Sequence, residues 1–310
     1  MNTLVIDKFP QDFLDALAAM PLRLTYVPDA DRAAILPLLA DTEILILNSK
    51  IQVDREAADA APRLRRVIRA GVGMDHIDLE YLASRGVEAL FTAGANADSV
   101  GEQAVGMLLA LRHNLLRADQ EVRQFIWRRE ANRGAEIGGK TVGIIGYGHT
   151  GRAVARKLSG FGCRVLAYDK YLSGYGDAFA AEAPLEQIYA EAEILTLHVP
   201  LTAETRHWID SERIARFAQP FLLLNLARGP IVHLGSLLAA LDSGQIPAAA
   251  LDVLENERMD KLTDAQRAEY ADLFARQNVI VTPHIGGWSV ESLRNINNAI
   301  LRLVAEILPG

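Results

Sequence analysis

The chain has 310 residues, half of them hydrophobic, with 39 acidic against 32 basic side chains and a formal net charge of -7. That length fits two domains with ample core, and the single cysteine, Cys163, excludes a disulfide framework and a cysteine-built zinc cluster and suits a reducing compartment. No run approaches the ~18 apolar residues of a membrane span, Asp7 interrupts any secretory signal, and the acidic balance argues against a general nucleic-acid binder, so a soluble, cytoplasmic α/β protein is expected.

In chain order, short apolar runs at 4–6, 44–47, 67–70 and 87–91 read as strands, with helical spacing at 12–19 and 31–39 between them. The third run ends in the turn signal Gly71-Val72-Gly73. A long helix is expected from Ser99, with Ser99 and Glu102 as a capping box and Val100, Ala104, Met107, Leu108, Leu111 and Leu115 along one stripe, continuing past Gln120. From Gly139 a second α/β series follows, with strands at 141–145, 164–168, 194–198, 221–225, 248–253 and 279–282. A last helix covers about 290–307.

The first strand of the second series runs into Gly146-Tyr147-Gly148-His149-Thr150-Gly151, a G-x-G-x-x-G that opens an amphipathic helix. The first glycine permits the tight turn, the second lets a pyrophosphate approach the backbone, and the third lets helix and strand pack closely. The next strand ends in Asp169, 23 residues beyond Gly146. A carboxylate there can accept hydrogen bonds from ribose hydroxyls and repels a 2′-phosphate, which favours NAD over NADP; Lys170 beside it pulls the other way. Three later strands each end in polar groups, at Asn225–Arg228, Asp252–Glu257 and Thr282–Gly286, where ligands sit in open α/β sheets. Arg228, Glu257 and His284 would form a charged cluster there. Taken singly, each has a plain structural explanation: a surface ion pair, a solvated acid, a satisfied turn histidine.

In these segments, in Arg69–Asp78, in Asn96–Glu102 and in His198-Val199-Pro200-Leu201-Thr202, the chain resembles the D-isomer-specific 2-hydroxyacid dehydrogenases, the family that includes 3-phosphoglycerate dehydrogenases, over nearly its whole length. The resemblance implies a Rossmann-type doubly wound parallel sheet, residues 98–287, inserted into a smaller flavodoxin-like α/β substrate domain, residues 1–97 and 288–310, without a regulatory domain. It implies hydride transfer between NAD and C2 of a D-2-hydroxy or 2-keto acid, with no metal, in a homodimer. His284 would be the acid–base, Glu257 its carboxylate partner favouring the imidazolium, and Arg228 the clamp for the substrate carboxylate and carbonyl oxygen. Val72 and Gly73 would contact substrate together with Arg228 and His284. From its loop after the 44–47 strand Lys50 would meet an anionic group of the substrate, and a phosphate would call on Lys50 with Arg69, unless Arg69 is structural. Gly146, Tyr147, Gly148, His149, Thr150, Gly151 and Asp169 would hold the cofactor. His198, Pro200, Thr205, Ala227, Arg228, Asp252, His284 and Gly286 would line its cleft, Asp252 meeting the carboxamide.

The chain departs from that pattern in four places. Arg258 replaces a proline after the catalytic glutamate, and a helix-like stretch at 263–276 lengthens the approach to His284, with a shifted lid as one reading. Gln103 stands where a histidine often occurs, and Trp288 where smaller residues are common, placed to narrow the pocket or pack the hinge. Of the other histidines, His76, His113, His149, His207 and His233 have no ligand-like spacing; Trp127 with Arg123, Arg128 and Arg129 reads as a solvated face or subunit contact. 3-Phosphoglycerate, glyoxylate, hydroxypyruvate or a bulkier 2-keto acid are all open as substrate. An NAD(H)-sensing, corepressor-like protein and a degenerate paralogue are the alternative functions.

Overall fold

The computed structural model describes residues 1–308; the last two residues of the expected substrate domain, 309 and 310, lie outside the described residues. The chain divides into two compact units, Met1–Asn96 with the C-terminal stretch from Ser289, and Ala97–Trp288.

In the first unit, strands β1 (Asn2–Val5), β2 (Arg23–Tyr26), β3 (Ile44–Leu47), β4 (Arg66–Arg69) and β5 (Glu88–Phe91) form a parallel sheet in the order β2-β1-β3-β4-β5. That is the flavodoxin-like winding, with a reversal of direction beside β1. The β3 run Ile-Leu-Ile-Leu is buried throughout, because helices cover both faces of the sheet. One face packs Leu4, Leu45, Leu47 and Val67 with Ile35 and Leu82. The other packs Val5, Ile46 and Ile68 with Phe13 and with Ile296, Ile300 and Val304 of the Val290–Ile307 helix. β2 was not expected: as an edge strand it alternates exposed and half-buried residues and lacks an apolar run.

In the second unit, β6 (Thr141–Ile145), β7 (Arg164–Tyr168), β8 (Ala181–Glu182), β9 (Ile194–Leu197), β10 (Leu222–Asn225), β11 (Ala249–Leu251) and β12 (Val279–Val281) form a seven-stranded parallel sheet. Its order is β12-β11-β10-β9-β6-β7-β8, so the winding reverses at β6, which pairs with β7 on one side and β9 on the other. Alternation along β10 sends Leu223 to one core and Leu222 and Leu224 to the other. The two-residue edge strand β8 has no pattern to announce it.

The expected long helix differs in two respects. It starts at Ala97, so Ser99 lies inside it and caps nothing; its hydroxyl donates instead to the Gly286 carbonyl, 2.6 Å away. It also ends at Arg112, where Asn114 takes a left-handed φ of 53°, and a separate helix, Leu115–Arg123, follows. The apolar stripe itself is buried at Val100, Ala104, Met107 and Leu108. No helix among the described residues is long and apolar enough to cross a membrane.

Candidate active site

The glycine-rich turn leaves β6 as a cradle that larger residues could not form. Gly146 has φ of 93°, and a Cβ there would lie 2.6 Å from the His198 carbonyl oxygen; at Gly151 it would lie 2.1 Å from that of Gly146. Space opens only at Gly148, the N-cap of the His149–Leu158 helix. A helix N-terminus with unsatisfied N–H groups facing such a gap suits a pyrophosphate. His149 and Thr150 form that first turn. Tyr147 contributes backbone alone, because its ring is fully buried with its hydroxyl 2.9 Å from Asp177.

Asp169 closes this end of the cradle. Its Oδ2 accepts the Tyr147 N–H at 2.9 Å, and its Oδ1 accepts those of Tyr171 and Leu172 at 2.9 and 3.2 Å. The carboxylate is therefore oriented before any ligand arrives. After β9, His198 pairs through Nε2 with Thr196 Oγ1 at 2.9 Å, while its Nδ1 is buried without a partner. Burial pushes its imidazole down to about 4, although the residue as a whole is half-buried. Pro200 and Thr205 belong to the next turn, whose shape Thr205 sets: its Oγ1 donates to the Pro200 carbonyl at 2.7 Å and accepts the Thr202 N–H at 2.8 Å. The Thr205 hydroxyl is thus spent on the chain itself.

The charged cluster expected from the sequence is built on the ends of β10, β11 and β12. His284 has φ of 56°, a left-handed conformation that histidine enters more readily than most residues but still at a cost. What holds it there is Asp252, only 1% exposed. Its backbone carbonyl accepts the His284 N–H at 2.8 Å. Its side chain accepts the N–H groups of Ile285 and Gly286 at 2.9 and 2.7 Å, the Thr282 hydroxyl at 2.5 Å and the Gln103 amide at 2.8 Å. A buried carboxylate with this many donors is satisfied and rigid. Asp252 and Gly286 therefore serve first to shape the 282–286 loop. Gln103, noted in the sequence only as a departure from the family pattern, ties the Ala97–Arg112 helix to it, and a polar residue one turn before Met107 on the buried stripe was the available signal for that contact.

His284 Nδ1 lies 3.0 Å from Glu257 Oε2, with both side chains nearly half exposed. Glu255, the neighbouring acid, is engaged elsewhere: it accepts from His207 Nε2 at 2.6 Å and from the Leu234 N–H at 3.1 Å. The segment carrying both acids is fixed from two sides. Tyr270 Oη accepts the Asn256 N–H at 2.7 Å, so the Asp264–Ala275 helix braces this segment. On the other side Gly229 presses on it so closely that a Cβ would meet the Leu254 carbonyl oxygen at 1.7 Å. Arg228, next to Gly229, is half-buried and donates to the Ala227 carbonyl at 2.6 Å, while Asn225 Oδ1 accepts the Ala227 N–H at 3.1 Å.

The first unit holds the remaining expected contacts. Val72 is exposed and Gly73 half-buried on the loop after β4, whose start is pinned by the Gly71 N–H donating to Thr92 Oγ1 at 2.9 Å. The Lys50 ammonium donates to the Pro28 carbonyl. Arg69 Nη1 donates to the Ala70 carbonyl at 3.0 Å.

A glycine cradle at the switch point of a Rossmann-type sheet, with a histidine–carboxylate pair and an arginine on neighbouring strand ends, defines a dinucleotide-binding type of scaffold. The family model described as "D-isomer specific 2-hydroxyacid dehydrogenase, NAD binding domain" matches residues 105–286, more than half of the chain. The chain is 34% identical over 312 residues to the D-3-phosphoglycerate dehydrogenase of Mycobacterium leprae, covering 99% of this chain and 57% of that protein. It is 33% identical over 266 residues to the hydroxypyruvate reductase of Thermotoga maritima, covering 86% and 85%. The structure of D-lactate dehydrogenase from Aquifex aeolicus, complexed with NAD and lactic acid, superposes with a TM-score of 0.86 at 27% identity, covering 98% and 94%. The chain belongs to the D-isomer-specific 2-hydroxyacid dehydrogenase family, and it spans little more than half the length of the phosphoglycerate dehydrogenase relatives it matches.

Proposed function

We propose that this protein is an NAD-dependent dehydrogenase that interconverts a D-2-hydroxy acid and the corresponding 2-keto acid. The observation that carries this reading is the His284–Glu257 pair at 3.0 Å, fixed on a loop that Asp252 holds in a strained conformation. Glu257 accepts from Nδ1, which orients the ring and leaves Nε2 for a substrate oxygen. In the reducing direction His284 gives its proton to the carbonyl oxygen, and in the oxidising direction it takes that proton back from the hydroxyl. Arg228 binds the substrate carboxylate and stabilises charge developing on the oxygen. The bound nicotinamide supplies or accepts the hydride. Gly146–Gly151 and Asp169 hold its pyrophosphate and ribose.

A small unphosphorylated acid, such as glyoxylate or hydroxypyruvate, suits the first unit better than 3-phosphoglycerate. A phosphate calls for a cluster of cations or a helix N-terminus. The two cations expected to serve it, Lys50 and Arg69, both donate to backbone carbonyls. NADH oxidation across a panel of glyoxylate, hydroxypyruvate, pyruvate and phosphohydroxypyruvate tests the reading. Turnover of the unphosphorylated acids is the expected result. A preference for phosphohydroxypyruvate overturns the substrate assignment. NADH binding without turnover of any 2-keto acid overturns the enzyme assignment in favour of a sensor.

A further inference from the structure

Beside the ribose-binding Asp169 stands a cation that ought to spoil its selectivity. Lys170 follows Asp169 directly, and an ammonium at that point is well placed to attract a 2′-phosphate. It does not stand alone. Lys170 Nζ lies 2.7 and 2.6 Å from the two carboxylate oxygens of Glu204. Lys170 belongs to the segment after β7 and Glu204 to the turn after β9, and β6 with its glycine cradle runs between those strands. The ion pair therefore bridges across the end of β6. Glu204 is itself held in place, because Thr205 locks the turn through Pro200 and Thr202. Arg152, in the helix that the cradle opens, is likewise engaged, 3.0 Å from Asp177 and stacked 4.6 Å over the Tyr147 ring.

We propose that Glu204 is a specificity-determining residue for the cofactor: by holding Lys170 across the end of β6, it denies that cation to a ribose 2′-phosphate and preserves the preference for NAD(H) over NADP(H). The inference rests on the dinucleotide reading of the cradle. Both side chains are about half exposed, so the effect is modest and screened by salt.

The test is direct binding of NADH and NADPH, followed by nucleotide fluorescence and calorimetry, to the parent, Glu204→Gln and Lys170→Ala/Glu204→Gln proteins. Glu204→Gln should tighten NADPH by about fivefold, the scale of one exposed ion pair, while NADH changes little. The gain should vanish in the double variant and shrink at high ionic strength. An unchanged NADPH-to-NADH ratio in Glu204→Gln overturns the proposal. So does a gain that survives in the double variant, since Glu204 would then act by its own charge and not through Lys170. A parent that binds neither nucleotide overturns the dinucleotide reading itself, an outcome distinct from the other two.

Discussion

Two histidine–carboxylate pairs draw their acids from one stretch of chain, Glu255 and Glu257, and they are built differently. His284 meets Glu257 at 3.0 Å and His207 meets Glu255 at 2.6 Å, and both histidines adopt a left-handed backbone, with φ of 56° and 52°. The surroundings separate them. His207 uses Nε2 for its acid, packs edge-on against His233 at 4.9 Å, and shares its acid with the Leu234 N–H. His233 in turn caps the Leu234–Ser243 helix through Ser236. That pair knits turns together. His284 stands on a loop that the Asp252 side chain holds through Thr282, Ile285 and Gly286. A carboxylate partner is therefore common to both histidines, and the shorter bond belongs to the one that knits turns together.

The strongest challenge to this distinction is replacement of the two histidines in parallel. His284→Ala should lower kcat/KM by about 10²–10⁴-fold, the range of a lost general acid–base, with thermal stability little changed. Steady-state rates with NADH and the preferred keto acid measure it, and a variant as active as the parent would remove His284 from the mechanism. Arg228→Ala should cost about 10²–10³-fold in kcat and also raise KM, because it removes charge stabilisation as well as binding. A raised KM with unchanged kcat would confine Arg228 to ground-state binding.

A third histidine tests the contrast from the side of burial. His198 has no carboxylate, and burial holds its folded-state pKa near 4, below the ordinary 6.5. As pH falls the unfolded chain takes up this proton first, so stability is full above about pH 7, declines between pH 7 and 4, and loses up to about 3 kcal/mol from this group. Denaturant titrations across that range should show the loss, and His198→Gln should flatten it. The smallest effect is expected at the structural pair: His207→Ala should leave kcat within about threefold of the parent and cost about 1 kcal/mol, a few degrees in Tm. A collapse of activity with stability intact would erase the distinction between the two pairs.

Much of this architecture was legible in the sequence where backbone demands select residue types. The strands at Thr141–Ile145 and Arg164–Tyr168 agree with their expected limits, because the glycine turn and Asp169 bracket them. The Val290–Ile307 helix was readable from its long apolar periodicity. Edge strands were not, since β2 is half exposed and β8 only two residues long. The Ser99–Glu102 spacing imitated a capping box, while the serine's real partner, Gly286, lies 187 residues away. The same blindness to distant partners hid the Gln103–Asp252 and His207–Glu255 contacts. Arg228, Glu257 and His284 stood out together as ordered motifs, although singly each looked ordinary. Lys50 looked suited to an anion from its loop position, and only the fold reveals its bond to Pro28.

The contact between Gly229 and the Leu254 carbonyl has a consequence for how this protein can change. Arg228 and Glu257 flank a junction with no slack, where even one methyl group does not fit. Any shift of one loop is transmitted to the other, so Arg228 and Glu257 are geared together. Adaptation to a new substrate can hardly proceed by nudging either alone. Room to experiment, for selection or a protein engineer, lies outside this junction.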